Sequence, residues 1–318
     1  MKVLVTGALG FIGSYVAKAL YDKGHEVVAI DIALDHGLYG LRKKDLLDGV
    51  KFYNMDISND YDLEQLFKNS CFDSVINLAA ESGVLRSRTE PLRYVKTNVY
   101  GFTNILILAH KYKVGNFIYA SSSSVYGGSM QGKDQVHESE GSDLPISIYA
   151  ATKKSNELIA HGLYSMEGYP SIGLRFFTVY GPYGRQDMAP WIFTNKILNG
   201  NEITLNNGGQ SYRDFTFIDD VVSMIVQLTE KPNDQYRIFN IGSEHPILVN
   251  DFLGLIEKYT DKRAITKHAP LPKGDVVSTG AYSNSIKEYL DLPDYSFVRP
   301  TSGVKIFVDW YKEKIYNS

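Results

Sequence analysis

The chain has 318 residues, 44% of them hydrophobic and 22% charged, enough for one large α/β unit or two lobes sharing an interface. A formal net charge of −3 leaves no electrostatic footprint for nucleic acid or an anionic membrane. The single cysteine, Cys71, excludes an intramolecular disulfide and a multi-thiolate metal site and suits a reducing compartment.

Lys2–Thr6 is an apolar run that leads at once into three spaced glycines, so nothing at this end reads as a signal peptide. No stretch reaches the roughly 20 apolar residues that span a bilayer. A cytoplasmic protein without a membrane partner is the expectation. Glu26–Asp31, Lys51–Asp56, Ser74–Ala79 and Asn116–Ala120 are further short apolar runs suited to buried parallel strands. Helical periods lie between them at Phe11–Lys23, Tyr61–Lys68 and Pro91–Lys113. Such β-α repeats predict a doubly wound parallel sheet with right-handed crossovers. A helix at Tyr149–Glu167 precedes one more strand, Ser171–Phe176.

Beyond Phe177 the pattern changes: Gly, Pro, Asn and Tyr become frequent, and alternation is lost between Val179 and Ser211. Ile218–Thr229 and Ile238–Ile241 then read as a helix and a strand returning to the first lobe. Short helices follow at Asn250–Tyr259, Ser283–Leu290 and Thr301–Tyr316. The pattern predicts a dinucleotide lobe over 1–177 plus about 212–243, and a smaller, discontinuous α/β substrate lobe over 178–211 plus 244–318.

Gly7, Gly10 and Gly13 stand between the first strand and the first helix, spaced G-x-x-G-x-x-G with Phe11 and Ile12 among them. Glycines there allow a tight turn and let backbone N–H groups approach a pyrophosphate at a helix N-terminus, the Rossmann arrangement. Asp31 ends the second strand, where a carboxylate accepts both ribose hydroxyls of an adenosine and repels a 2′-phosphate. NAD is therefore expected over NADP. Asp56 and Ile57 close the third strand, at the adenine edge, and Leu78, Ala79 and Ala80 close the fourth.

Tyr149 and Lys153 are four residues apart on a predicted helix and so share one face. A phenol with a pKa near 10 is a poor base at neutral pH, and a neighbouring ammonium lowers it. In a chain with 23 tyrosines the pair alone would be a solvated helix face. The run Ser121–Ser124 ends the fifth strand, where an open α/β sheet places its ligand, and supplies a hydroxyl to hold the reacting oxygen.

The segments T-G-A-L-G-F-I-G, N-L-A-A, Y-A-S-S-S-S-V-Y-G, Y-A-A-T-K and L-R-F-F-T-V-Y-G-P resemble those of extended short-chain dehydrogenases/reductases. Within that family the chain is most similar to UDP-glucuronate 4-epimerases. The resemblance implies NAD-dependent epimerisation of a UDP-sugar at carbon 4, UDP-glucuronate to UDP-galacturonate, through a transient ketone. It implies Ser122 as catalytic hydroxyl, Tyr149 as base and Lys153 as its modulator, with Asn98 at the cofactor. Thr178, Arg185, Arg213 and Asp275 become substrate contacts. A homodimer is implied through the helices Pro91–Lys113 and Tyr149–Glu167. Related decarboxylases tend to carry a glutamate before V-Y-G, where this chain has Ser124; with Ser123 and Thr178, that hydroxyl is suited to restraining a substrate carboxylate. Asn77 departs from a usual histidine, and Leu85-Arg86 from an arginine followed by tyrosine. The rival readings are a 4-epimerase for a neutral UDP-hexose or its N-acetyl form, and a catalytically silent NAD-sensing scaffold.

Overall fold

A computed structural model describes residues 1–33, 37–130, 135–272 and 276–317. The first stretch runs β1 (Lys2–Thr6), α1 (Phe11–Asp22), β2 (Glu26–Asp31), α2 (Tyr39–Leu46), β3 (Lys51–Asn54), α3 (Asp60–Lys68) and β4 (Ser74–Asn77). Next come α4 (Val84–Thr89), α5 (Pro91–Tyr94), a π-helical segment Val95–Gly101, α6 (Phe102–Lys111), β5 (Asn116–Ser122), α7 (Ile148–Glu167) and β6 (Ser171–Phe176). The remainder is β7 (Thr178–Tyr180), α8 (Ala189–Leu198), β8 (Glu202–Asn206), β9 (Tyr212–Arg213), β10 (Phe215–Phe217), α9 (Ile218–Glu230), β11 (Tyr236–Ile241), β12 (Ile247–Leu248), α10 (Val249–Thr260), β13 (Ile265–Ala269), α11 (Asn284–Tyr289) and α12 (Pro300–Tyr311).

Seven strands form one sheet in the order β11-β6-β5-β4-β1-β2-β3, as the doubly wound pattern predicts. Pairing is parallel from β6 to β3, for example Ser121↔Arg175 and Thr6↔Asn77. Strand order reverses between β1 and β4, so the crevice for a ligand opens beyond the carboxyl ends of those strands. Strands β4 and β6 are buried along their whole length, apolar residues sharing them with the buried polar groups Ser74, Asn77, Ser171 and Arg175. On one face Leu4, Val75, Phe102, Ile105 and Phe117 share a core cluster, and Phe102 meets Tyr119 edge-on at 5.1 Å.

Two compact units emerge. The first comprises Met1–Gly127, Gly141–Phe176 and Val222–Phe239, and the second Gly128–Glu140, Phe177–Val221 and Asn240–Ser318. Residues 128–140 and 212–221 thus group with the second unit. There the strands pair only in twos, β7 with β10, β9 with β12 and β8 with β13. Aromatic packing replaces a large sheet: Phe215 stacks on Phe252 at 3.8 Å, and Trp191 meets Tyr311 at 4.8 Å. Among the described residues no helix is long and apolar enough to cross a membrane.

Candidate active site

The turn between β1 and α1 is built backbone on backbone. Gly7 has φ +68°, and a Cβ on it would lie 2.6 Å from the Ala79 nitrogen; one on Gly13 would lie 2.1 Å from the Gly7 carbonyl oxygen. Gly10, the N-cap of α1, offers no side-chain cap, and no acidic residue stands in the first turn at Phe11, Ile12 and Gly13. The positive end of the helix is left for an anion, which fits a pyrophosphate. The Thr6 hydroxyl donates to Asn77 Oδ1 at 2.6 Å and accepts from the Ala79 N–H at 3.1 Å, tying the ends of β1 and β4 beneath Leu78, Ala79 and Ala80.

Asp31 ends β2 as the sequence predicts. Its carboxylate accepts from the N–H of Leu9 at 2.8 Å and of Ile32 at 2.7 Å. Burial pushes its pKa up to about 6, against the pull of those N–H groups, of Gly10 and of Arg42. Arg42 is a residue that the sequence did not single out. It is buried on α2 and donates to the Leu9 carbonyl at 2.9 Å, so it holds the glycine turn while placing a cation near Asp31. Asp56 Oδ1 accepts from the Ser58 N–H and hydroxyl, both at 2.8 Å, and Ile57 is buried against Gly101. Asn98, expected at the cofactor, has its amide engaged within the protein: it bonds both backbone groups of Glu81 and donates to Thr152 Oγ1 at 3.0 Å. That ties the loop after β4 to Thr152, whose hydroxyl in turn donates to the Tyr149 carbonyl at 2.8 Å, and the π-helical segment presents the side chain that does so.

At the carboxyl end of β5, Ser122 is buried; its Oγ donates to Ser124 Oγ and accepts from the Ser124 N–H, both at 3.1 Å. Ser123 and Ser124 are half-buried. Helix α7 starts at a Ser147 cap, whose side chain accepts from the Ala150 N–H, and carries Tyr149 one residue inside its first turn. The Tyr149 ring is half-buried and meets Tyr94 edge-on at 6.2 Å. Lys153 is 3% exposed, and its ammonium donates to the Ala120 carbonyl at 2.8 Å. Burial pushes its pKa down to about 8. One backbone oxygen thus fixes the lysine of α7 to the strand that ends in Ser122.

Thr178, Arg185 and Arg213 belong to the second unit. Thr178 opens β7 in register with Phe215, and its N–H donates to the Asp214 carbonyl. Arg185 pairs in a fork with Asp187 at 2.9 and 2.6 Å. Arg213 Nη1 donates to the Tyr212 carbonyl at 2.8 Å, and its strand is anchored by the neighbouring Asp214. That carboxylate is fully buried and accepts from the N–H groups of Ser243, Glu244 and Ala281 and from the Ser243 hydroxyl. Asp275 lies outside the described residues.

Residues 3–242 match the model of the NAD dependent epimerase/dehydratase family. UDP-glucuronate 4-epimerase 4 of Arabidopsis thaliana is 37% identical over 98% of this chain and 75% of its own length. The crystal structure of the UDP-glucuronic acid 4-epimerase of Bacillus cereus, in complex with UDP-glucuronic acid and NAD, matches at a TM-score of 0.90 with 31% identity, covering 98% of this chain and 99% of that one. The UDP-glucose 4-epimerase of Thermotoga maritima, solved with UDP-glucose, matches at 0.88 with 30% identity over 99% of this chain and 100% of that one. The glycine turn, the serine at the end of β5 and the Tyr149–Lys153 pair of α7 are thus carried by a chain that belongs to the NAD dependent epimerase/dehydratase family.

Proposed function

We propose that this protein epimerises a UDP-sugar at carbon 4 with bound NAD, and that its substrate is UDP-glucuronate, converted to UDP-galacturonate. The observation that carries the chemistry is the convergence on the end of β5, where Ser122 ends the strand and Lys153 of α7 is bonded to Ala120. The similarity to UDP-glucuronate 4-epimerases over nearly the whole chain supports the choice of sugar.

In this reading the first unit holds NAD: Gly7, Gly10, Phe11, Ile12 and Gly13 take the pyrophosphate, and Asp31 the adenosine ribose. Asp56, Ile57 and Leu78–Ala80 flank the dinucleotide, and Asn98 acts through the Glu81 loop. Bound NAD supplies the hydride acceptor, and then the donor, at carbon 4. Tyr149 takes the proton of the 4-hydroxyl, the Lys153 ammonium stabilises the phenolate, and Ser122 gives up its bond to Ser124 to hold the sugar oxygen. The second unit holds the nucleotide through Arg213 and Asp275, with Arg185 at the carboxylate once released from Asp187.

Oxidation of UDP-glucuronate at carbon 4 gives a β-keto acid, which loses CO₂ when its carboxylate lies across the carbonyl plane. Ser123, Ser124 and Thr178 donate hydrogen bonds that keep the carboxylate out of that alignment. Purified protein incubated with UDP-glucuronate and no added cofactor should yield UDP-galacturonate by NMR. Parallel incubation with UDP-glucose and UDP-N-acetylglucosamine distinguishes the neutral-sugar reading. Turnover of neither class would leave the NAD-sensing scaffold.

A further inference from the structure

Beneath the Ser122 end of β5 lies a buried ionic cluster that none of the roles above uses. Glu157 follows Lys153 by one helical turn on α7 and is 2% exposed. Its carboxylate receives the Arg175 guanidinium in a fork, Nε to Oε1 and Nη2 to Oε2 both at 2.8 Å. The hydroxyl of Ser121 donates to Oε1 at 2.6 Å, and Lys154 approaches Oε2 at 3.4 Å. Arg175 stands on β6 directly opposite Ser121, with its guanidinium 4.7 Å from the Tyr126 ring. Burial works against the Glu157 carboxylate, but Arg175 and Ser121 outweigh it and hold the group below the usual carboxylate range. The phenols of Tyr119 and Tyr236 are the other titratable groups nearby.

Replacing such an ion pair by apolar side chains is commonly neutral or stabilising, so stability alone is a weak reason for it. Its geometry offers another. The catalytic pieces sit on two elements, Ser122 on β5 and Tyr149 with Lys153 on α7. Polar bonds that join those elements include Lys153 to the Ala120 carbonyl and the Ser121 hydroxyl to Glu157. The first involves the catalytic lysine itself, whose ammonium must also serve the Tyr149 phenolate. The second lies outside the proton transfer, and Arg175 favours the charged form of its carboxylate. We infer that Glu157, clamped by Arg175, is a positioning residue that sets the distance between Ser122 and the Tyr149 phenol. The Glu157–Arg175 pair is itself balanced in charge, and Glu157 lies about 12 Å along the helix axis from Tyr149.

This rests on the epimerase reading, and the test separates the two. Wild type, Ser121→Ala, Glu157→Gln and Glu157→Asp are compared on UDP-glucuronate across pH, with NAD affinity as a check of folding. Ser121→Ala keeps the ion pair and loses only the tie; kcat should fall about 5–20-fold with KM changed less than about two-fold, because the loss falls on transition-state alignment. Glu157→Gln leaves the Arg175 cation uncompensated, so the acid limb of the pH–rate profile should move down by about half to one pH unit. Glu157→Asp keeps the charge but shortens the reach; it should return the limb to its wild-type position while kcat stays low. Should Glu157→Gln fail to bind NAD, the Ser121→Ala result decides alone. Wild-type kcat in Ser121→Ala overturns the positioning role, as does an unmoved limb in a folded Glu157→Gln. A wild type inactive on every UDP-sugar overturns the epimerase reading, and this inference with it.

Discussion

Asp31 carries a charge that its surroundings make costly. With its carboxyl pushed up from 3.8 to about 6, the folded protein holds a proton over roughly pH 4–6 that the unfolded chain has lost. That contribution to stability is complete below pH 4 and gone above 6, so Asp31→Asn should melt higher than wild type at pH 7.5 without cofactor. Ribose hydroxyls donate to the ionised form, so NAD affinity should rise as pH climbs through about 6, and preference over NADP should widen with it. Calorimetry on stripped protein checks both; equal NAD and NADP affinities at pH 7.5 would remove Asp31 from the cofactor site. Lys153 poses the converse case. Its ammonium, pushed down to about 8, is destabilising in the fold yet needed beside a phenolate. Lys153→Met should therefore melt no lower than wild type at pH 7, while turnover drops and the acid limb moves to alkaline pH. Tyr149→Phe should cut turnover by about 10²–10⁴-fold with substrate binding retained, and near-normal turnover would mean that the base lies elsewhere. For the carboxylate, each lost hydrogen bond to a charged group changes a population by roughly 10 to 150-fold. Thr178→Ala and Ser123→Ala should then release CO₂ from UDP-glucuronate at the expense of epimer, whereas a product ratio held at the wild-type value would place the restraint in other groups.

Elements differ in how far their residues announce them. The β6 strand is bounded at Ser171 and Phe176 in both sequence pattern and structure, because a strand buried on both faces carries apolar residues on both. Within it the arginine is the informative exception: a guanidinium in an all-buried strand demands a buried carboxylate, and Glu157 on the adjacent helix was the available one. Helix Pro91–Lys113 is continuous in pattern, yet its middle is π-helical at Val95–Gly101, a widening that heptad-like spacing does not encode. Helix α2 was illegible because only Arg42 among its residues is buried, which leaves no apolar stripe. Helix α8 was hidden by its own start: Pro190 reads as a loop residue in a Gly- and Pro-rich tract, although proline suits the first turn of a helix. Strands β7, β9, β10 and β12, two or three residues each, are too short for any period to show. The glycine turn was the most legible part of the site, and it is also the least tolerant. A methyl on Gly13 meets the Gly7 backbone at 2.1 Å, where no side chain can swing aside, so α1 must part from the turn. Gly13→Ala should weaken NAD binding at least tenfold by titration calorimetry, and an unchanged affinity would show that the pyrophosphate is held elsewhere.

On the scale of the whole molecule, the helix that carries Tyr149 and Lys153 inward presents a different face outward. Helix α7 is 20 residues long, and Ala151, Ser155, Leu158, Gly162 and Met166 recur on it at three- and four-residue spacing. None of these five is fully buried; Leu158 is 61% exposed and Met166 81%. Small residues in such a stripe let a second helix approach closely, and the two large ones give it apolar surface to cover. Leu92, 82% exposed, and the exposed Val95 and Ile107 add apolar surface on the Pro91–Lys111 stretch. Two helices of this kind, brought against the same pair on a second copy, would make a self-complementary four-helix contact about a two-fold axis. A homodimer of that form would brace α7 from outside while Glu157 ties it from inside, so association and turnover should be linked. Wild-type protein at micromolar concentration should sediment at twice the mass of the chain. Leu158→Glu combined with Met166→Glu puts like charges face to face across the axis and should give monomers that still bind NAD, with turnover reduced several-fold. A monomeric wild type would exclude this interface outright, and a double variant that remains dimeric would move the contact to another face of the molecule.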